Sequence, residues 1–278
     1  SLGNSRTFTN LRAETEYGFF LRKKCGENEY SEIKSIVFTT DIACPAPDSL
    51  EVFDVTNHTA TLSWESLSNM FAVSYGTPYV DVVGSYDFND GVIPDSFTES
   101  NTPWTIWETN PNSGSYCIAS NNYNEAGSNS TISLTATIEG DGTIEFYSRI
   151  SSESVSYDYG TFLIDGVEKL REGRTTPNTW THHSYEVSAG MHTFRWNYTK
   201  DNSVDNGEDR YYIDDIVLSA NVVDWQTVTA NDTTCILTGL IPETVYAAKV
   251  QADCGNDGIS LDSEIVTFTT DFACPAPD

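Results

Sequence analysis

An all-β protein is predicted, on three observations. Short segments alternate apolar and polar side chains, as in Ala60–Glu65 (ATLSWE) and Phe71–Gly76 (FAVSYG), the period of half-buried strands. Aromatics make up 12% of the chain and tyrosine alone numbers 15, while Ala, Leu, Lys and Glu never combine into a sustained 3.6-residue pattern. Asp165-Gly166 between two alternating runs is a strong hairpin signal.

The order of these strands is set by a repeat. Ala43–Asp48 (ACPAPD) returns as Ala273–Asp278, and each copy follows a similar run, IVFTTD or IVTFTTD. Further back, Leu11, Thr15, Tyr17, Cys25 and Gly26 match Leu240, Thr244, Tyr246, Cys254 and Gly255. Residues 1–43 therefore duplicate the last stretch of the chain. They are expected to form strands at Arg6–Leu11, Tyr17–Cys25 and Ile33–Thr40, too few to close a sandwich. The second copy places strands at Cys235–Leu240, Val245–Cys254 and Glu264–Thr270.

The spacing Leu240, Pro242, Thr244, Tyr246, followed by a strand and FTT, resembles strands E, F and G of a fibronectin type III domain. The resemblance implies that Tyr246, and Tyr17 in the first copy, are structural tyrosine-corner residues. Leu50–Val55, Ala60–Glu65 and Phe71–Gly76 look like strands A, B and C of the same family, with Trp64 in the core. The next strand of the pattern, Asp224–Val228 (DWQTV), comes about 145 residues late. The expected organisation is therefore a type III-like sandwich split into 44–81 and 221–271, with a separate domain at 82–220 inserted between its halves. Residues 1–43 are expected to be the C-terminal half of another such repeat, so the chain opens inside a domain, and 272–278 to be the start of the next.

The insert has its own strands, including Thr143–Ile150, Tyr159–Ile164, Thr181–Val187 and Met191–Tyr198. Its opening YDFNDG, the runs FYSRISSE, FLIDGV and SAGMHTFRWNYTKD, and its closing YYIDDI resemble extracellular jelly-roll modules of the MAM and gingipain cleaved-adhesin type. That resemblance implies a structural calcium held between the first and last strands. The matching residues are Asp87, Asn89 and Asp90 at one end and Asp214 and Asp215 at the other. Asn89 stands where such openings usually carry Glu, and a carbonyl oxygen still suits calcium. A solvated acidic edge is the alternative. The loop Asp201–Asp209 reads as a polar hairpin tip with oxygen ligands for a possible second ion.

Fourteen basic against 41 acidic residues give a formal charge of −27, which repels nucleic acid and anionic membrane surfaces. No apolar run approaches a membrane span, and no signal peptide opens the chain. Six cysteines in a strand-rich chain and the sequons at Asn57, Asn129, Asn197 and Asn231 point to a secreted or cell-surface setting. In a type III sandwich strand A begins and strand F ends at one pole, which implies a Cys44–Cys254 disulfide. Cys25 and Cys274 would then pair in neighbouring repeats, while Cys117 and Cys235 read as isolated thiols.

No nucleophile elbow or Cys/His pairing is present, and His182 and His183 fall on opposite faces of a strand; no enzymatic activity is expected. Trp104, Trp107, Tyr123, Tyr157, Tyr159 and Trp180 fall on or near expected loops and form a candidate platform for sugar rings. The expectation is a calcium-stabilised, carbohydrate-binding-like jelly roll displayed on a type III stalk. Its partners would be a glycan or host or cell-surface glycoprotein and neighbouring repeats of the same protein. The alternatives are a structural repeat of a surface fibre or layer, and the accessory region of a large secreted protease or glycosidase.

Overall fold

The computed structural model of the chain describes residues 5, 7–9, 11–99, 102–173, 179–203 and 206–273, and it is all-β, built from antiparallel strands. Two compact units are present. One joins Ser1–Pro78 to Val223–Asp278, and the other is Tyr79–Val222.

The first unit opens with a two-stranded sheet, β1 (Glu16–Leu21) against β2 (Lys34–Thr39). Of the strand expected at 6–11, Arg6 and Asn10 lie outside the described residues, and the described residues of the stretch are irregular. Its counterpart in the second copy pairs with a strand on one side, and the first copy offers no such partner.

The rest of this unit is a sandwich. β3 (Asp48–Phe53) and β4 (Thr59–Glu65) enter one sheet, and β5 (Phe71–Gly76) the other. The chain returns after the second unit with β17 (Gln226–Ala230), which pairs with β5, and β18 (Thr234–Thr238), which pairs with β4. β19 (Val245–Asp253) lies on the other side of β5. The last strand, expected over Glu264–Thr270, forms as β21 (Val266–Thr269), and a short strand that was not expected, β20 (Ile259–Asp262), precedes it; each pairs with part of β19. The alternation of β4 and β19 sends Leu62, Trp64, Tyr246, Ala248 and Val250 into one core with Leu50, Phe71 and Phe268. Cys44 and Cys254 are joined by a disulfide, with Cα atoms 5.8 Å apart. Cys274 lies outside the described residues.

The second unit is two packed sheets. Between the first-unit strands come β6 (Pro78–Tyr86), β7 (Phe97–Glu99), β8 (Thr105–Trp107), β9 (Cys117–Ala119), β10 (Asn129–Ile138) and β11 (Gly142–Ser151). These are followed by β12 (Tyr159–Ile164), β13 (Val167–Glu172), β14 (Thr181–Val187), β15 (Gly190–Thr199) and β16 (Arg210–Val223). One sheet runs β13-β12-β15-β10-β7 and the other β14-β11-β16-β9-β8, with β6 also paired to β16. The Asp165-Gly166 turn joins β12 to β13 with positive φ at both residues, 52° and 79°, as the tight hairpin turn requires. Phe146, Phe162, Trp196, Tyr211 and Ile213 fill the space between the sheets.

A bulge in the β11–β16 pairing lies between Glu145 and Tyr147, opposite Asp214–Val217. Strict alternation would point Ile213 and Ile216 to opposite faces. Asp215 instead turns left-handed at φ 48°, so both isoleucines reach the core.

Candidate functional site

The bulge also fixes the carboxylates that the sequence marks for a metal. Asp214 is fully buried. Its Oδ2 accepts from the backbone N–H groups of Asn112 (2.9 Å) and Ser113 (3.3 Å). Asp215 accepts from Asn112 Nδ2 and Ser113 Oγ, both at 2.7 Å. At the other end of the same loop, Ser115 N–H donates to Asn89 Oδ1 at 2.6 Å. Gly114 lies against that side chain at φ 56°, where a Cβ would fall 1.9 Å from Asn89 Oδ1. One loop thus ties Asn89 to Asp214 and Asp215. Asp87 and Asp90 instead cap their own turn, accepting from Asn89 N–H and Val92 N–H at 3.1 Å each. The Asn89 backbone N–H holds the Asp87 carboxyl below its ordinary value. Burial, reinforced by the charge of Asp215, pushes Asp214 up to about 7. Asp214 and Asp215 receive neutral donors from the loop, and a divalent cation would suit such a pair.

The six expected aromatics separate. Trp104 is corrected outright: it is 4% exposed and belongs to the core, against Tyr211. Strand parity explains this, because Trp104 and Ile106 face inward while Trp107, three positions on, faces out. Tyr159 begins β12 on the other sheet, with the Arg171 guanidinium 4.1 Å from its ring. Tyr157 is exposed in the preceding loop.

Trp107, Tyr123 and Trp180 do belong together, through two arginines that sequence reasoning passed over. Arg149 on β11 lies 3.7 Å from the Tyr212 ring and 5.5 Å from that of Trp180. Tyr212 packs on Trp107 with ring centroids 5.9 Å apart. Arg210 then lies 4.6 Å from Trp107 and 4.0 Å from Tyr123. The result is a row, Trp180–Arg149–Tyr212–Trp107–Arg210–Tyr123, across the outer face of the six-stranded sheet. A cation–ring contact contributes about 0.5–1 kcal/mol at an exposed site and about 2 kcal/mol when desolvated. Both arginines are buried, at 1% and 5% exposed. Arg149 donates to Glu208 (3.2 Å) and to Thr109 O (3.3 Å), and Tyr212 Oη donates to Glu208 at 2.6 Å. Burial raises the Tyr212 phenol and lowers the Arg210 guanidinium. Cys117, beneath this face, is pushed up to about 12 by burial and is a protonated thiol.

Tyr123 is 43% exposed, and Trp107 and Trp180 are half-buried. Trp180 is anchored by its indole N–H to Asn110 O at 3.0 Å. Beside Trp107 is a hollow of about 290 Å³, lined also by Ile106, Glu108, Thr109 and Tyr116. The signal for the arginines was present in the outward parity of Arg149 within FYSRIS, but a strand arginine alone does not name its ring partners.

The Asp201–Asp209 loop, of which residues 204 and 205 lie outside the described residues, contributes Asp201 to a carboxylate group with Glu153 and Asp158. Their oxygens lie within 4.8 Å of one another. Burial raises the Asp158 carboxyl. Lys200 forms an ion pair with Asp209 in the same region.

No family model and no curated protein matches the chain. Among solved structures, the K3 cleaved adhesin domain of Lys-gingipain from Porphyromonas gingivalis is similar at 16% identity and TM-score 0.39, covering 50% of this chain and 100% of that one. The CBM22-1 xylan-binding domain of Paenibacillus barcinonensis Xyn10C is similar at 14% identity and TM-score 0.36, covering 51% and 96%. The secreted serine protease VesC of Vibrio cholerae is similar at 13% identity and TM-score 0.37, covering 61% and 50%.

Proposed function

We propose that the inserted unit is a non-catalytic carbohydrate-binding module, displayed on type III-like repeats of a secreted or cell-surface adhesin. The row of rings alternating with buried guanidinium groups carries this reading. The arginines hold the aromatic faces at fixed angles, and the exposed ring surface beside a polar hollow suits the C–H faces and hydroxyls of a sugar. Calcium belongs to the same proposal. Asp214 and Asp215, with Asn89 across the shared loop, are the residues that would hold it, and it would clamp the loop that carries Asn110 under Trp180.

Affinity electrophoresis of the full chain through gels containing neutral or acidic polysaccharides tests this. At least one polysaccharide is expected to retard the chain. Trp180→Ala and Tyr123→Ala should each weaken retention about tenfold, equal to about 1.4 kcal/mol, while Tyr159→Ala leaves it unchanged. A chelator should lower both retention and the midpoint of thermal unfolding. Absence of retardation by every polysaccharide, or retention indifferent to Trp180 and Tyr123, would overturn the reading.

A further inference from the structure

The two copies of the repeated segment have the same local geometry and opposite surroundings. Tyr17 Oη accepts from Arg12 N–H at 2.9 Å, and Tyr246 Oη from Ile241 N–H at 3.0 Å. Thr40 Oγ1 accepts from Thr15 N–H at 3.0 Å, and Thr270 Oγ1 from Thr244 N–H at 2.9 Å. Glu14 N–H reaches Asp41 O, and Glu243 N–H reaches Asp271 O, both at 3.2 Å. The strand register also coincides: Tyr17 faces Phe38, as Tyr246 faces Phe268.

In the second copy one face of this hairpin, bearing Tyr246, Ala248, Val250 and Phe268, is buried against the facing sheet of β3, β4 and β18, while β5 lies beside β19 in its own sheet. In the first, the matching face carries Leu21 at 71% and Ile36 at 63% exposed. Tyr17 and Phe19 on the same face are half-buried, with the Phe8 ring 4.1 Å from Phe19; a hydrophobic sheet face left exposed beyond them marks a binding surface, and the second copy shows what covers it. Cys254 at the end of β19 is bonded to Cys44 at the entry to β3. Its counterpart Cys25 is an exposed free thiol.

We propose that the β1–β2 hairpin is the docking surface for the front half of a sandwich with the pattern of residues 44–76. In the docked state Cys25 closes a disulfide with the cysteine that holds the Cys44 position of that segment. The two thiols give two protons and two electrons to a disulfide oxidant, which is reduced to two thiols as one S–S bond forms. The inference concerns the repeat and stands apart from the glycan reading.

The test is the full chain extended at its N-terminus by copies of residues 44–78 and 223–232, joined through a Gly-Ser linker and refolded in reduced and oxidised glutathione. In the unextended chain Cys25 should react with maleimide. In the extended chain peptide mapping should find it bonded to the added cysteine, and amide exchange over residues 16–39 should slow at least about tenfold. Replacing the added cysteine by serine should leave the slowed exchange in place while Cys25 stays reactive. Unchanged exchange in both extended chains would overturn the proposal. So would an unextended chain whose Cys25 is already bonded to Cys25 of a second copy, with the hairpin protected in that dimer.

Discussion

The first and second copies of the repeated hairpin separate what a sequence encodes locally from what it encodes through partners. The tyrosine corner, the threonine that closes it and the strand register form in both, so they require only the dozen residues on either side. Burial does not follow from them. Val250 is fully enclosed while its counterpart Leu21 is 71% exposed, because only the second copy has β3 and β4 against its face and β5 along its edge. Hydrogen bonds that survive solvent exposure contribute little net free energy. The stabilisation of the hairpin therefore resides in the face that the first copy leaves bare.

This contrast can be broken by paired substitutions read on urea unfolding. Cys254→Ser should destabilise the split sandwich by about 4 kcal/mol, the loss expected for a bond closing so long a loop, whereas Cys25→Ser should have no measurable effect on the chain alone. Phe268→Ala should cost about 3 kcal/mol and Phe38→Ala less than about 1 kcal/mol; equal costs would mean the first hairpin is already covered. Tyr246→Phe should cost about 1 kcal/mol through the Ile241 N–H left without its acceptor, while at Tyr17 water replaces the lost bond and the change falls within about 0.3 kcal/mol.

The smallest effect lies in the insert and should be blind to both copies. His192 Nδ1 lies 2.7 Å from Asp165 Oδ2. This hydrogen bond raises the imidazole above its ordinary value, and the Thr193 N–H, then His192, lower the Asp165 carboxyl. A raised histidine contributes fully below its unfolded value of about 6.5 and loses that contribution as pH rises through the folded value. A lowered aspartate contributes above about 3.9 and loses it as pH falls. The pair therefore stabilises most between those limits. Because Asp165 is nearly half exposed, solvent screening reduces the gain to about 0.5 kcal/mol. Raising the pH from 6 to 8 should lower the insert's unfolding midpoint, and Asp165→Asn should remove only part of that slope, the remainder belonging to the buried Asp214 carboxyl, which loses its proton near 7.

Much of the architecture was legible because it rests on period and repetition. The alternation in Ala60–Glu65 and Phe71–Gly76 marked β4 and β5, and the delayed DWQTV placed β17 beside β5 to within two residues. The site was less legible for a physical reason: it depends on which face a residue takes across an irregularity. Trp104 and Trp107 read alike as loop aromatics, yet one strand parity sends the first into the core and the second out. Asp214 and Asp215 were marked as a pair, but their joint turn toward the 112–113 loop comes from a bulge in β16 that the sequence YYIDDI does not announce. Arg149 and Arg210 are distant in the chain and become partners of four rings only when β11, β16, β9 and β8 lie side by side.

The Cys44–Cys254 bond spans a sequence separation of 210, and the whole inserted unit lies within that closed loop. A protease that cuts an exposed loop of the insert would therefore release nothing: both products stay on one covalent body until a reductant arrives. A nicked chain would migrate intact without reducing agent and as two fragments with it. A chain with this feature can be cleaved in its inserted unit without shedding that unit, so proteolysis and detachment become separate events governed by different chemistry.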